Sequence, residues 1–372
     1  MSETKDKTLK YEYNAVRFTF VQCDVCQARL LSSDAWSYLT YYLLSKAKES
    51  ESNSHEADLP QWERAGYYAD LAENFFIASK AVKLPAKATL IYYSMLNLVK
   101  CFLSTKGVEL EKKTEHHGLK ITDEGKAVKI SQKKNDMVNI FAEFAEILET
   151  PVDSGEIQLL KLLRNIPEIH GLCCNLESDD DKSKLLPINI SFMTNPDHNL
   201  MYTQISYQKE QENKAKTEKF YRGERKDYFR KIDDHSAEYS NSPKGIKEEG
   251  RITYISKKYE KYTKKSINTP YKKILGEYNQ FKIVSILTRA EGYRYYVDLE
   301  PLNWHFLCTS LAAMFYLGSA ARYRPHDIKE VMKGEMRPLI TELVRISPTQ
   351  FLYHLVSLIT NRECVIPFSA VD

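Results

Sequence analysis

The chain of 372 residues has only 7 cysteines, an odd number, and no hydrophobic secretory core follows Met1 to Lys7. That argues against a disulfide framework and predicts reduced, mostly buried thiols in a cytoplasmic protein. Long apolar runs are also lacking. The longest, Phe306 to Ala321, falls short of the roughly 20 residues a bilayer-spanning helix needs, so no membrane partner is expected. There is no Gly-x-x-x-x-Gly-Lys-Ser/Thr, no Gly-x-Gly-x-x-Gly, no His-Glu-x-x-His and no Gly-x-Ser-x-Gly. Their absence argues against a P-loop triphosphatase, a nicotinamide dehydrogenase, a zinc protease and an α/β hydrolase, and no cofactor is expected. Cys23-Asp-Val-Cys26 has zinc-knuckle spacing, with His170, Cys173 and Cys174 as distant companions. A structural zinc site normally shows a second well-spaced pair, so ordinary free thiols and no metal are expected.

What is present is a large apolar complement, 43% of residues, enough for two or three domains. Two segments dominate it, Ala88 to Leu103 and Phe306 to Pro325. Pro85 opens the first as a helix, and Pro325 stops the second. In the first, only Ser94, Asn97 and Lys100 make a polar stripe, at i, i+3 and i+6, so this helix belongs inside a bundle. Ser94 and Asn97 then either pin the helix to a neighbour or face a pocket.

Around these segments the pattern is helical. Leu39, Leu43 and Leu44 mark a helix after Ser33-Asp34, Ala47 to Asp58 reads as a solvated linker, and a helix follows from Gln61 to Val82. Lys112 to Lys134 reads as an irregular loop or short hairpin. Asn135-Asp136 caps a further helix through Leu148, and another runs from Gly155 to Asn165. From Leu185 the period shortens. Pro187 to Phe192, Leu200 to Tyr207, Arg251 to Ile255, Phe281 to Thr288 and Tyr293 to Val297 read as strands, with a turn at Asn195 to Asn199. No helical pattern alternates regularly with them, which predicts an antiparallel sheet. Helices return after Pro301, at Asp327 to Lys333, Arg337 to Arg345 and Pro348 to Thr360, before a docked tail at Cys364 to Phe368. The expected fold is α+β, mainly α: an N-terminal helical half over 1–184, a basic, tyrosine-rich β insertion over 185–300, and a C-terminal helical half over 301–372 packing on the first.

Ile91 to Lys100, His117-Gly-Leu119, Ile166-Pro-Glu-Ile-His170 and Leu317 to Pro325 resemble the YaaC-like proteins, a bacterial family of poorly understood function. The pairing of Tyr92-Tyr93-Ser94-Met95-Leu96-Asn97 with Ala321-Arg322-Tyr323-Arg324-Pro325 is the most specific part of the resemblance. A bundle helix bearing Tyr-Tyr-Ser-x-x-Asn is also similar to the HEPN group. That similarity implies a dimeric, metal-independent ribonuclease using an arginine, then four to six intervening residues, then a histidine, in stress or phage defence.

Arg164-Asn-Ile-Pro-Glu-Ile-His170 has that spacing. His170 would move protons, Arg164 would stabilise charge on the scissile phosphate, and Asn165 would orient either. Chance supplies about one such spacing in a chain of this composition, and a second, Arg230 to His235, is present. Pro167 also interrupts the helix that would hold the pair, so a histidine that merely packs the loop is the competing reading.

His117 and His170, each followed by Gly-Leu, could face one another across a site or end helices before turns. Arg322, Arg324 and His326 could grip a phosphate or carboxylate, or serve as a cationic helix cap with interhelix salt bridges.

Charge is uneven although the total is only +3: Ile205 to Ile274 holds 19 Lys and Arg against 11 Asp and Glu. Within that stretch, Lys257, Lys258, Lys261, Lys264 and Lys265 interleave with Tyr259 and Tyr262, and Arg222, Arg225, Lys226, Arg230 and Lys231 add to them. Lysine contacts to phosphate and stacking on tyrosine would bind single strands without sequence preference; a solvated charged surface has the same composition. The leading expectation is RNA or single-strand binding, with ribonuclease chemistry as its catalytic form. The alternative is a non-catalytic interaction or scaffold protein holding a protein partner or a second copy of itself.

Overall fold

The computed structural model describes residues 6–25, 29–52, 59–110, 114–122, 125–131, 137–151, 155–175, 184–233, 243–263, 266–277, 281–289 and 292–367. The chain divides into two units, one within 32–182 and 302–360, the other within 1–31, 183–301 and 361–372. The expected β insertion therefore shares its unit with both ends of the chain. Among the described residues no helix is long and apolar enough to cross a membrane.

The helical unit opens with α1 (Ala35–Ser52), α2 (Leu59–Lys80) and α3 (Ala86–Thr105). Asp34 caps α1, its Oδ1 accepting from the Trp36 and Ser37 amides at 3.0 and 3.1 Å. The helix runs on into the expected linker, with Lys46 and Glu49 paired at 2.6 Å along its exposed side. Leu39 and Leu43 are buried, whereas Leu44, about 100° further round, is 58% exposed. Ser94 Oγ donates to Ala72 O at 2.7 Å and so ties α3 to α2.

The segment after α3 contains the expected hairpin, Leu119–Ile121 against Ala127–Ile130, extended by Glu156–Gln158, while Thr114–His116 pairs in parallel with Met137–Asn139. Asn139 caps α4 (Ile140–Ile147), accepting from Ala142 N at 2.9 Å; Asn135 and Asp136 lie outside the described residues. Short helices α5 (Leu159–Arg164) and α6 (His170–Asn175) follow.

The second apolar segment is α7 (Phe306–Tyr323), buried without a break from Phe306 to Ala320. It crosses α3 closely at Gly318, where an added Cβ would lie 3.1 Å from the Tyr92 Cβ and 3.3 Å from the Thr89 Cα. Thr89 Oγ1 seals the crossing by donating to Gly318 O at 3.1 Å. After α8 (Pro325–Lys333), a single helix α9 (Arg337–Thr360) passes through Pro348 where two helices were expected. A proline deletes one backbone donor, and the buried side chains on both sides of it hold the helix together.

The other unit is built on an antiparallel sheet of β1 (Leu185–Asn195), β2 (Leu200–Gln208), β3 (Phe229–Lys231), β4 (Arg251–Ser256), β5 (Ile283–Thr288) and β6 (Gly292–Asp298). The order is β3-β4-β2-β1-β6-β5, with Lys7–Thr8 added to β1 and Glu260–Lys261 to β2. Phe192, Tyr207, Tyr221 and Tyr254 share a core with Tyr271 of the helix Asn268–Gly276 and with Phe18.

The chain ends meet where Glu363–Val365 pairs in parallel with Arg29–Leu31. Glu363 is fully buried and accepts from the Tyr295 hydroxyl at 2.5 Å and the Phe20 amide at 3.3 Å, with Arg29 Nε at 3.7 Å. Burial outweighs these partners and pushes its carboxyl up to about 7. The folded protein thus keeps a proton that the unfolded chain releases near pH 4.3. Its contribution is fully present below that value and lost as pH rises through about 7. Between about pH 5 and 8 the wild type should lose about 2–3 kcal/mol through this group, a loss that Glu363→Gln removes. Guanidinium titrations of both proteins at the two pH values check this; parallel pH dependence would rule Glu363 out.

Candidate functional site

A cleft of about 530 Å³ opens at the β3 edge of the sheet. Phe229 and Tyr254 line it from β3 and β4, and Tyr221 comes from a π-helical turn, Lys219–Glu224. Tyr221 stacks on Tyr254 with ring centroids 4.0 Å apart and planes 15° apart. Burial pushes both phenols above their ordinary range.

Cations ring the cleft: Arg222 from the π-turn, Lys226 from the following turn, Lys231 from β3 and Lys257 just past β4. Register explains which side chains arrive. Lys231 lies opposite Tyr254 and so shares its face, whereas Arg230, which also borders the cleft, lies opposite Ile255 on the alternate register position. Arg230 is buried and donates to Pro243 O, so its charge is committed within the protein. The one carboxylate among the described residues that line the cleft, Asp233, is paired with Lys247 at 3.0 Å. The cleft therefore carries a net positive charge over an apolar floor, which concentrates anions.

The stretch expected to bind nucleic acid is spread around this region. Lys257 reaches the cleft, and Lys258 pairs with Glu277 at 3.2 Å and lies over the Tyr228 ring. Lys261 is exposed on its short strand, Tyr259 is 45% exposed, and Tyr262 packs against the core. Lys264 and Lys265 lie outside the described residues.

In the helical unit, Arg164 ends α5 and His170 opens α6 across the 3-10 turn Pro167–Ile169, both half-buried. Asn165 is engaged at both ends of its amide, donating to Lys161 O at 2.7 Å and accepting from Leu302 N at 3.3 Å. His170 Nε2 lies 3.4 Å from the Cys174 thiol. Asn97 Nδ2 donates to Tyr93 O at 2.7 Å within its own helix. Arg324 donates to Thr122 O at 3.2 Å and pairs with Asp327 at 3.6 Å, holding the hairpin turn.

His117 and Arg322, by contrast, come together beside Tyr92 and Tyr93. The tyrosines read as core in the sequence. Their signal was two hydroxyls on an apolar helix, each requiring a partner. Cys23 is buried and 3.5 Å from Thr19 Oγ1, with its thiol pushed up by burial; Cys26 lies outside the described residues. Among the described residues no group of three or more His, Cys, Asp and Glu is arranged to hold a metal ion.

These features define a mainly α, α+β protein of two units with a basic cleft on its sheet unit. A model of the YaaC-like protein family matches residues 29–359, and the chain belongs to that family. No curated protein and no solved structure matches it.

Proposed function

We propose that this YaaC-like protein binds single-stranded nucleic acid, RNA foremost, by gripping the phosphate backbone in the cleft of Arg222, Lys226, Lys231 and Lys257. The observation that carries the reading is this ring of cations around a cleft whose one carboxylate among the described residues is already paired. A positively charged groove of this kind can track the backbone of a single strand. Tyr221 and Tyr254 are buried beneath it, so they shape the floor and leave base stacking to exposed rings such as Tyr259. Recognition is then electrostatic and tolerant of sequence.

Metal-independent cleavage in stress or phage defence is the finer part of this reading. The placement of Arg164 and His170 on either side of one short turn supports it. Incubation of the purified protein with total RNA in excess EDTA tests both parts. Retention of RNA at low salt and its release at high salt are expected. Cleavage that His170→Ala abolishes would support catalysis, and intact RNA would remove it. Failure to retain RNA at low salt would remove the binding reading itself.

A further inference from the structure

A second constellation lies in the helical unit, where α3 supplies Tyr92, Tyr93 and Lys100, the turn after Thr114–His116 supplies His117, and the last turn of α7 supplies Arg322. The Tyr92 and His117 rings stack with centroids 5.8 Å apart, and Tyr92 Oη lies 2.5 Å from His117 Nδ1. Tyr92 is 1% exposed, so its hydroxyl proton must go to the imidazole nitrogen beside it. Nδ1 is then the acceptor, and in the neutral ring Nε2 carries the proton.

Arg322 lies over the Tyr93 ring at 5.1 Å. It donates to Gly318 O at 3.1 Å, to Ser319 Oγ at 3.4 Å and to the Tyr93 hydroxyl oxygen. Two guanidinium N–H groups remain without a partner among the described residues, and Tyr93 keeps its own O–H proton to give. The donors left open here are His117 Nε2–H, Tyr93 O–H and two from Arg322. They come from two helices and a turn, so they do not lie in one plane. Charge agrees with this, since the carboxylate among the described residues that faces these cations, Glu115, binds Lys100 and accepts from the Tyr68 hydroxyl at 3.1 Å.

We propose that His117, Tyr93 and Arg322 form a binding site for a tetrahedral oxyanion, free phosphate or a phosphate monoester. A carboxylate offers two oxygens in one plane, whereas a phosphate offers acceptors in several directions and suits donors carried on three separate segments. The groups facing His117 are Tyr92, Tyr93, Lys100, Glu115, His116 and Arg322. Burial foremost, then Lys100, Arg322 and His116, hold its imidazole below the ordinary range, and the ring is neutral at pH 7. A bound phosphate offsets those cations and raises the midpoint. None of these residues belongs to the cleft of the sheet unit, so either site stands if the other fails.

Following the His117 ring signals of nitrogen-15-labelled protein against pH tests the site. The probes are millimolar inorganic phosphate, a 5′-phosphorylated tetranucleotide and the same tetranucleotide with a 5′-hydroxyl. Phosphate should raise the His117 midpoint by about half a pH unit or more. Tyr93→Phe, which deletes one oxygen, and Arg322→Lys should each weaken the response about five-fold. A response to inorganic phosphate identifies a free oxyanion, and one confined to the phosphorylated tetranucleotide identifies a strand end; both support the site. It is overturned if no probe moves His117, if both tetranucleotides move it equally, or if neither variant weakens the response.

Discussion

Changing Lys226 and Lys231 together to glutamate is expected to lower the affinity for a single-stranded oligonucleotide at about 0.1 M salt by at least ~25-fold. Each phosphate neutralised on a single strand releases about 0.7 counterion, worth about five-fold in affinity at that salt concentration. Two lost contacts multiply to the stated figure, and the new carboxylates add repulsion. The choice of residues follows from their surroundings. Neither lysine has an acidic partner among the described residues, so both charges are available to a ligand and neither change strands a buried ion. Arg222 is shared with Glu218 at 3.9 Å, and Arg230 is committed to Pro243. Arg230→Ala therefore serves as a contrast, damaging the loop more than the binding. Fluorescence anisotropy with a labelled oligouridylate measures these differences, and unchanged affinity in the double variant would remove the cleft from the binding reading.

Gly118→Ala is expected to cost about 3–4 kcal/mol of stability. The backbone there has φ of +84°, a region in which a side chain is strained by about 1–2 kcal/mol. The new methyl carbon would sit 1.8 Å from Asn139 Oδ1 and 2.9 Å from the Phe141 Cβ. Asn139 must then move, yet it caps α4 through Ala142 N and holds Ser131 O through Nδ2 at 2.8 Å. Losing such a cap costs about 1 kcal/mol by itself, and the stranded carbonyl adds to it. Asn139→Ala should accordingly cost less than Gly118→Ala, and the double variant less than the sum, because the clash disappears with the amide. Denaturant midpoints of the three variants decide this. A loss below about 1 kcal/mol for Gly118→Ala would show that the turn adapts.

Much of the architecture was legible because long elements announce themselves. The apolar runs of α3 and α7 and the alternation in β1, β2, β4, β5 and β6 are sustained patterns that single residues cannot blur. Short elements gave no such signal. Lys7–Thr8 and Glu363–Val365 are strands of two and three residues, too brief to show a period, so the joining of both chain ends to the sheet unit went unread. The cleft was half visible. Its cations were countable in the sequence, but their convergence depends on the three-residue strand β3 and on the register that sets Lys231 opposite Tyr254 and Arg230 opposite Ile255. In the helical unit the polar stripe drew attention to Ser94 and Asn97, whose bonds are to backbone carbonyls. The groups that meet instead, Tyr92, Tyr93, His117 and Arg322, lie on three segments distant in sequence, and only the crossing of α3 and α7 at Gly318 makes them neighbours.

The most direct measurement is the salt dependence of oligouridylate binding by the wild-type protein. Four phosphate contacts to a single strand predict that log affinity falls with log salt at a slope of about −2.8. That corresponds to about a fifty-fold loss between about 50 and 200 mM, with the slope reduced by about 1.4 in the Lys226 and Lys231 double variant. Binding that is flat across this range, or a slope that the double variant leaves unchanged, would contradict the cleft as a phosphate-binding surface.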